Sequence, residues 1–312
     1  MTAKPWGQAE VEKLESIYSK KPAWITDNEL AGMVSRQFER SPESIRWQLR
    51  QFRKDAVMQP VKILLLDIET LPIEAKVWGT WKQNIQPVQI KKDWSMACWS
   101  AKWLFEPEVY GRVVTPKEAI ERKDDSILGE IWELMDEANV VIHHNGNSFD
   151  IPKLNTRFLL GGYSRPSYYK SIDTLEIAKK NFAFTYNKMG WINELLGIGT
   201  KMETSFKWWD EASDGNEKYL DMMLEYNMND VNVLEELYLK LRPWMSGHPN
   251  MAVYSVHKDT AVCPTCGSLD LHWNSTYSTP LGLYKSFRCQ ECSSIGRSTQ
   301  KKYKLNKAIA QN

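Results

Sequence analysis

A short apolar run, Val61 to Leu66, breaks off into two acids, because the phrase LLLDIET sets Asp67 and Glu69 at the end of a segment that reads as a buried central strand. Successive side chains of a strand alternate between faces, so residues 67 and 69 point the same way. A strand buried on both faces needs partner strands and covering helices. Further extended patterns lie at Met96 to Trp103, Val109 to Val114 and Val140 to His143. Helical patterns cover Lys117 to Glu137, a stretch from Pro152 onward, Thr174 to Lys180, Trp191 to Leu196 and Glu217 to Leu241. Three early strands followed by alternating helix and strand predict an α/β unit over 61–244, a mixed sheet flanked by helices.

Two more acidic positions belong with that strand end. In HHNGNSFDIPKLNTR the strand ending at His143 passes through a Gly/Asn turn to Asp150, beside a helix N-terminus that tolerates a carboxylate. In EYNMNDVNVLEELY, Tyr226 and Asp230 are four apart on one face of an amphipathic helix. Four carboxylates gathered in one place repel by about several kcal/mol per close pair at a moderate effective dielectric, a penalty that divalent cations remove.

The ordered set D-x-E, N-x3-F-D and Y-x3-D resembles the three motifs of the DnaQ-like, ribonuclease-H-fold DEDD exonucleases, and the last motif is that of their tyrosine branch. FDIPKLNTR is similar to the exonuclease domains of family B DNA polymerases and to bacterial and phage ribonuclease-H-like exonucleases. The stretches SIDTLEIAKK and GWINELLGIG look like that family's connecting helices. No histidine stands four or five residues before Asp230, which disfavours the histidine branch.

The resemblance implies a ribonuclease-H-like fold and a metal-dependent 3′-to-5′ exonuclease holding two Mg²⁺ or Mn²⁺ ions. Asp67 would bridge both ions, Glu69 and Asp230 would complete the site of the water-activating one, Asp150 would serve the second, and Tyr226 would orient the attacking water. Asn145 and Phe149 would line the terminal-nucleotide pocket, with core packing as the alternative for Phe149. His143 and His144 are expected to be structural and Asp173 to cap a helix. Phe206, Trp208 and Trp209 are either a stacking surface or core. DNA is favoured as substrate over RNA, although nothing in the sequence excludes a 2′-hydroxyl. A non-catalytic adaptor would be expected to have lost an acidic residue, and none is missing.

CPTC and CQEC place Cys263, Cys266, Cys289 and Cys292 in two thiolate pairs separated by strand-like aromatics. That spacing predicts a four-cysteine zinc ribbon over 251–312 with one structural Zn²⁺, since four soft ligands fill a tetrahedron and leave no place for water. This end is basic: 8 Lys/Arg against 3 Asp/Glu, where the whole chain is only +1. Lys285, Arg288, Arg297 and the KKYKLNK tail could grip nucleic acid, or the ribbon could dock on a protein. Cys98 is left over as a small core residue.

Residues 1–58 carry three helical patterns. Val11, Leu14, Ile17 and Tyr18 share one face; Thr26-Asp27-Asn28-Glu29 has capping-box spacing; Ser41-Pro42 opens a third helix that buries Ile45, Leu49 and Phe52. With Trp6, Trp24 and Trp47 distributed among them, the helices resemble a Myb/SANT or helix-turn-helix domain. Arg46, Arg50 and Arg53 would then read DNA, or form a solvated face. No apolar stretch approaches a membrane span and no signal peptide opens the chain, so an intracellular, cytoplasmic protein without a membrane partner is expected. Nucleic acid is the expected partner, with a separate polymerase or other replication or repair protein as a further one.

Overall fold

A computed structural model describes residues 6–21, 27–55, 61–199, 204–255, 257, 260–280 and 282–301. The chain divides into two compact units, Met1–Gln59 and Pro60–Asn312. In the first unit, α1 (Gln8–Ser19), α2 (Asp27–Val34) and α3 (Pro42–Asp55) close on Leu14, Leu30, Val34, Phe38, Ile45 and Leu49. The apolar positions recur at helical spacing, so each helix contributes one stripe to this small core. Arg40 is tied to Glu10 at 2.9 Å and lies 4.1 Å over the Trp6 ring, which fastens the chain between α2 and α3 to the start of α1. Thr26, Trp24 and the side chains of Arg50, Phe52 and Arg53 lie outside the described residues, and so does the KKYKLNK tail after Lys301.

The second unit is organised by β1 (Ile63–Leu71). After it come β2 (Glu74–Ala75), β3 (Ile90–Lys92), β4 (Ser95–Trp103) and β5 (Val109–Val113), then α4 (Pro116–Glu121), α5 (Asp125–Glu137) and β6 (Val140–His143). The chain continues through α6 (Asp150–Leu160), β7 (Lys170–Asp173), α7 (Thr174–Asn181), α8 (Met189–Leu196), α9 (Phe206–Ser213) and α10 (Glu217–Leu241). Five strands form one mixed sheet in the order β5-β4-β1-β6-β7. β4 runs antiparallel to β1 and β5, while β6 runs parallel to β1 and β7.

Alternation along β1 divides the core. Leu64, Leu66 and Ile68 join a cluster with Val141 and with α5 and α6 through Ile127, Leu128, Ile131, Leu154 and Phe158. Leu65 faces the other way, into a cluster with Ile142, α7, α8 and the second half of α10. Asp67 and Glu69 continue the row of Leu65, on the α10 side of the sheet.

The helix expected over 117–137 is two. Arg122 takes a left-handed conformation (φ 56°) and Asp124 turns inward, fully buried, to accept the Met96 amide at 2.8 Å and the Arg157 guanidinium at 2.6 Å. Those partners, on β4 and α6, outweigh the helical hydrogen bonds that a continuous helix would have kept.

Beyond α10, β8 (Leu271–Thr279), β9 (Gly282–Cys289) and β10 (Ile295–Lys301) make a three-stranded antiparallel sheet in the order β10-β9-β8. The segment that leads into it is anchored to the larger sheet. Met251 is buried among the α10 residues, and its amide donates to the Pro264 carbonyl at 2.7 Å, within the first cysteine knuckle.

Candidate active site

The geometry of the site begins where two parallel strands part. β1 and β6 are paired from Ile63 with Val140 to Leu65 with Ile142 and no further. The Ile68 amide, which would have met a neighbouring strand, donates instead to the Asp150 carboxylate at 3.0 Å. Asp150 is the first residue of α6, so the helix N-terminus and the strand end are locked together at the carboxyl edge of the sheet, where α/β folds place their ligands. Asp150 is buried, and burial pushes its carboxyl up to about 6, opposed by the nearby His143 and by the Ile68 amide.

α10 supplies the opposite wall. Tyr226, Asn227 and Asp230 lie on its buried face, and the Asn227 amide donates to Asp67 at 2.6 Å. Burial first, then Asp230, Glu69 and Asp67, drive the Tyr226 phenol far above its ordinary value. The neutral hydroxyl is thereby favoured over the phenolate. Beneath the pair, Cys98 is opposite Glu69 in the β1–β4 register, and burial together with those carboxylates keeps its thiol protonated.

The loop between β6 and α6 is shaped by Gly146 and Asp173. A Cβ on Gly146 would stand 2.3 Å from the His143 ring, so only glycine lets the backbone pass there. His143 Nδ1 lies 3.1 Å from the Gly146 amide and 3.5 Å from the Asp173 carboxylate, and Nε2 lies 2.8 Å from Ser171 Oγ. Asp173 caps α7 through Leu175 and also accepts from Asn145 and Asn147. Burial would raise its carboxyl, but the His143 ring and these amides outweigh it and hold it down at about 2. Asn145, in the left-handed conformation (φ 69°), is presented to the cavity by this arrangement.

Asp67, Glu69, Asp150, Tyr226 and Asp230 thus line one cavity of about 640 Å³, with Asn145 and Phe149 at its edge. Phe149 is 37% exposed, which removes the core-packing alternative. Sequence reasoning did not find the far wall: Lys179 of α7, Thr185, Tyr186, Asn187 and Lys188 of the segment before α8, and Met189 at the start of α8. His144, expected to be structural, lines this cavity as well and reaches the Asn187 carbonyl at 3.0 Å and the Thr174 hydroxyl at 2.9 Å. Burial lowers its pKa, so the ring is a neutral strut holding that wall. The role of Asn227 was also missed, and the i,i+1 spacing to Tyr226 gave no hint of it.

The remaining candidates are dispersed. His143 is buried in the polar network just described. Phe206 is 71% exposed, whereas Trp209 packs against the core. On α3, Arg46 is paired with Glu43 one turn away. Lys285 and Arg288 are exposed on β9, Arg288 bonding the Ser293 carbonyl at 3.1 Å, and Arg297 stacks 4.1 Å over Tyr284.

The donor chemistry of the two clusters differs. Carboxylate oxygens with a hard, hydrated surround suit Mg²⁺ or Mn²⁺. Cys263, Cys266, Cys289 and Cys292 offer four sulfurs within 4.8 Å of one another, with Sγ–Sγ separations of 3.6 Å for Cys263–Cys292 and Cys266–Cys289. A tetrahedron of sulfurs about 2.3 Å from a zinc ion has edges near 3.8 Å, whereas a disulfide needs about 2.05 Å. The four cysteines could therefore bind a metal such as Zn²⁺. Among the described residues such tight spacing is found for the cysteines, while the carboxylates line the cavity.

Residues 108–242 match the RNase_H_2 family model of the RNase_H superfamily. The match takes in Asp150, Tyr226 and Asp230 and begins after β1. The five-stranded mixed sheet flanked by helices is consistent with an RNase H-like fold. No curated protein matches the chain. The family B DNA polymerase of the hyperthermophilic archaeon Pyrobaculum calidifontis is a similar solved structure: 14% identical over 73% of this chain, with a TM-score of 0.40. This chain spans 32% of that polymerase's length.

Proposed function

We propose that the chain is a metal-dependent 3′-to-5′ exonuclease acting on DNA. The observation that supports this most is the meeting of Asp67 and Glu69, Asp150, and Tyr226 with Asp230, from three distant stretches, around one open cavity at the carboxyl edge of the sheet. Asp67, Glu69, Asp150 and Asp230 would hold two divalent cations. Bound there, such ions supply the Lewis acidity that makes water nucleophilic near neutral pH and offset the charge gathering on the scissile phosphate.

The protein's own groups have distinct tasks. Asn227 fixes the rotamer of Asp67, and the Ile68 amide fixes that of Asp150, so the acidic oxygens are oriented before substrate arrives. The Tyr226 hydroxyl, on the cavity wall beside Asp230, would orient the attacking water by hydrogen bonding. Asn145 and Phe149 flank the terminal nucleotide, and Lys179 and Lys188 across the cavity attract the phosphate backbone. One Zn²⁺ would be held by Cys263, Cys266, Cys289 and Cys292 as a structural ion. The α3 arginines Arg46, Arg50 and Arg53 and the ribbon cations Lys285 and Arg288 would add affinity by tethering nucleic acid.

End-labelled DNA and RNA incubated with Mg²⁺ test this directly. Mononucleotides released from 3′ ends, faster from DNA, with loss of release in Asp67→Ala, are expected. Internal cuts, release from 5′ ends, or a wild-type protein that binds without hydrolysis would refute it.

A further inference from the structure

Between β2 and β3 the chain leaves the sheet and exposes what most proteins bury. Every residue from Lys76 to Val88 is exposed, including Trp78 at 100% and Trp81 at 80%. The strand pair at its base, Glu74 with Lys92 and Ala75 with Ile90, holds the excursion as an arm. Free tryptophans of this kind mark an interaction surface. Their neighbours indicate the partner's charge: residues 76–91 include no acid and carry Lys76, Lys82 and Lys91, while Lys92 at the base is paired with Glu74 at 3.0 Å. Flat aromatic faces among cations complement a polyanion whose units carry flat rings, which is the chemistry of an unpaired nucleic-acid strand.

The arm is also joined to the carboxylate cavity by a track of the same composition. It emerges seven residues after Glu69, a chain reach of at most about 25 Å. At its return, Trp94 stacks against Lys153, whose ammonium lies 3.7 Å from the indole centroid and 5.1 Å from that of Phe149. Phe149 lines the cavity. Aromatic and cationic groups therefore alternate from the cavity edge through Phe149, Lys153 and Trp94 to the foot of the arm.

We propose that the arm at residues 76–91 is a second binding site for a single strand whose end occupies the carboxylate cavity, with Trp78 and Trp81 stacking on unpaired bases. This deepens, and rests on, the nuclease function proposed above, and it makes the substrate an end with an unpaired stretch.

The test uses the full chain and oligothymidylate strands of about 6 and about 20 nucleotides. Binding is measured with Ca²⁺ in place of Mg²⁺, and hydrolysis with Mg²⁺. Replacing both tryptophans (Trp78→Ala with Trp81→Ala) is expected to weaken binding of the longer strand on the order of tenfold or more and to raise its KM in step, with the effect in KM rather than kcat. Phenylalanine at both positions is expected to restore most of the affinity. Unchanged long-strand binding and KM in the alanine double variant would overturn the proposal while leaving the nuclease function standing. So would strand binding that survives while binding to phosphatidylserine vesicles or to a protein partner is lost, which would assign the arm to that other surface. Conversely, a wild-type protein that grips the long strand through the two tryptophans but releases no nucleotide in Mg²⁺ would retain the arm and remove the nuclease function.

Discussion

The two clusters of charged ligands in the second unit differ in what assembles them. The carboxylates come from β1, the start of α6 and the middle of α10, and each is set by elements with their own hydrophobic anchorage. The cysteines come from two knuckles whose hydrophobic cluster, among the described residues, adds Phe287 and Leu271. The first cluster is a by-product of a core that would exist without it; the second is itself the core of its small sheet. A cation at the carboxylates would therefore relieve charge in a framework already built, whereas one at the cysteines would supply much of the folding energy.

Removing the zinc ion proposed for the four cysteines is the strongest way to break this contrast. Stripping it with a thiol-reactive mercurial and a chelator is expected to cost β8 to β10 stability on the order of 10 kcal/mol, seen as loss of amide exchange protection there. Protection in β1, β4 and β6 should persist, and Mg²⁺-dependent hydrolysis should survive in part. Cooperative loss of both regions would show that the two are one folding unit, a result the Met251–Pro264 hydrogen bond makes worth seeking.

Next in size is Asp67→Ala. A loss of hydrolysis on the order of a thousandfold is expected, with little change in the melting temperature of the metal-free protein, since relief of one crowded negative charge offsets the lost Asn227 hydrogen bond. A marked drop in thermal stability would instead make Asp67 a structural residue.

Acid titration sharpens the comparison further. Asp173 is held at about 2 against an ordinary value of 3.8, so it stabilises the folded state fully above pH 4. That contribution, about 2 kcal/mol, is lost as the pH falls from about 4 through 2. Denaturant unfolding across that window should show it, and Asp173→Asn should flatten the profile. An identical pH slope in the variant would transfer the effect to other carboxylates.

The smallest effect is expected of Asn227→Ala. It leaves Asp67 without a 2.6 Å partner, and hydrolysis should fall about tenfold with little change in KM. An unaltered kcat would mean that Asp67 needs no such support.

How much of this was legible in the sequence depended on the range of the forces involved. Strong local periodicity carried β1, β4, β5, β6 and α10, since burial on a fixed face is written into the spacing of apolar residues. β7 left no such trace: it is four residues long, and its Lys170 and Ser171 are exposed. α9, whose Phe206 faces solvent, was equally hidden, as was the β2–β3 pair, because each of those strands is three residues or fewer. The break between α4 and α5 depends on Asp124 meeting Met96 and Arg157, 28 and 33 residues away, and no local pattern encodes that. The acidic positions around the cavity were readable from motif spacing. Asn227 was not, because its partner is 160 residues distant.

The parting of β1 from β6 has a mechanical consequence. With the Ile68 amide given to Asp150, α6 meets the end of β1 through this hydrogen bond and the packing of Leu154 and Phe158 on the strand, and not through a ladder. A ladder averages small displacements over many rungs. A shift of α6, such as a strand pulling on Phe149 or Lys153 would produce, would move Asp150 relative to the neighbouring acids. Under the proposed function, the position of the substrate and the spacing of the acidic oxygens would change together.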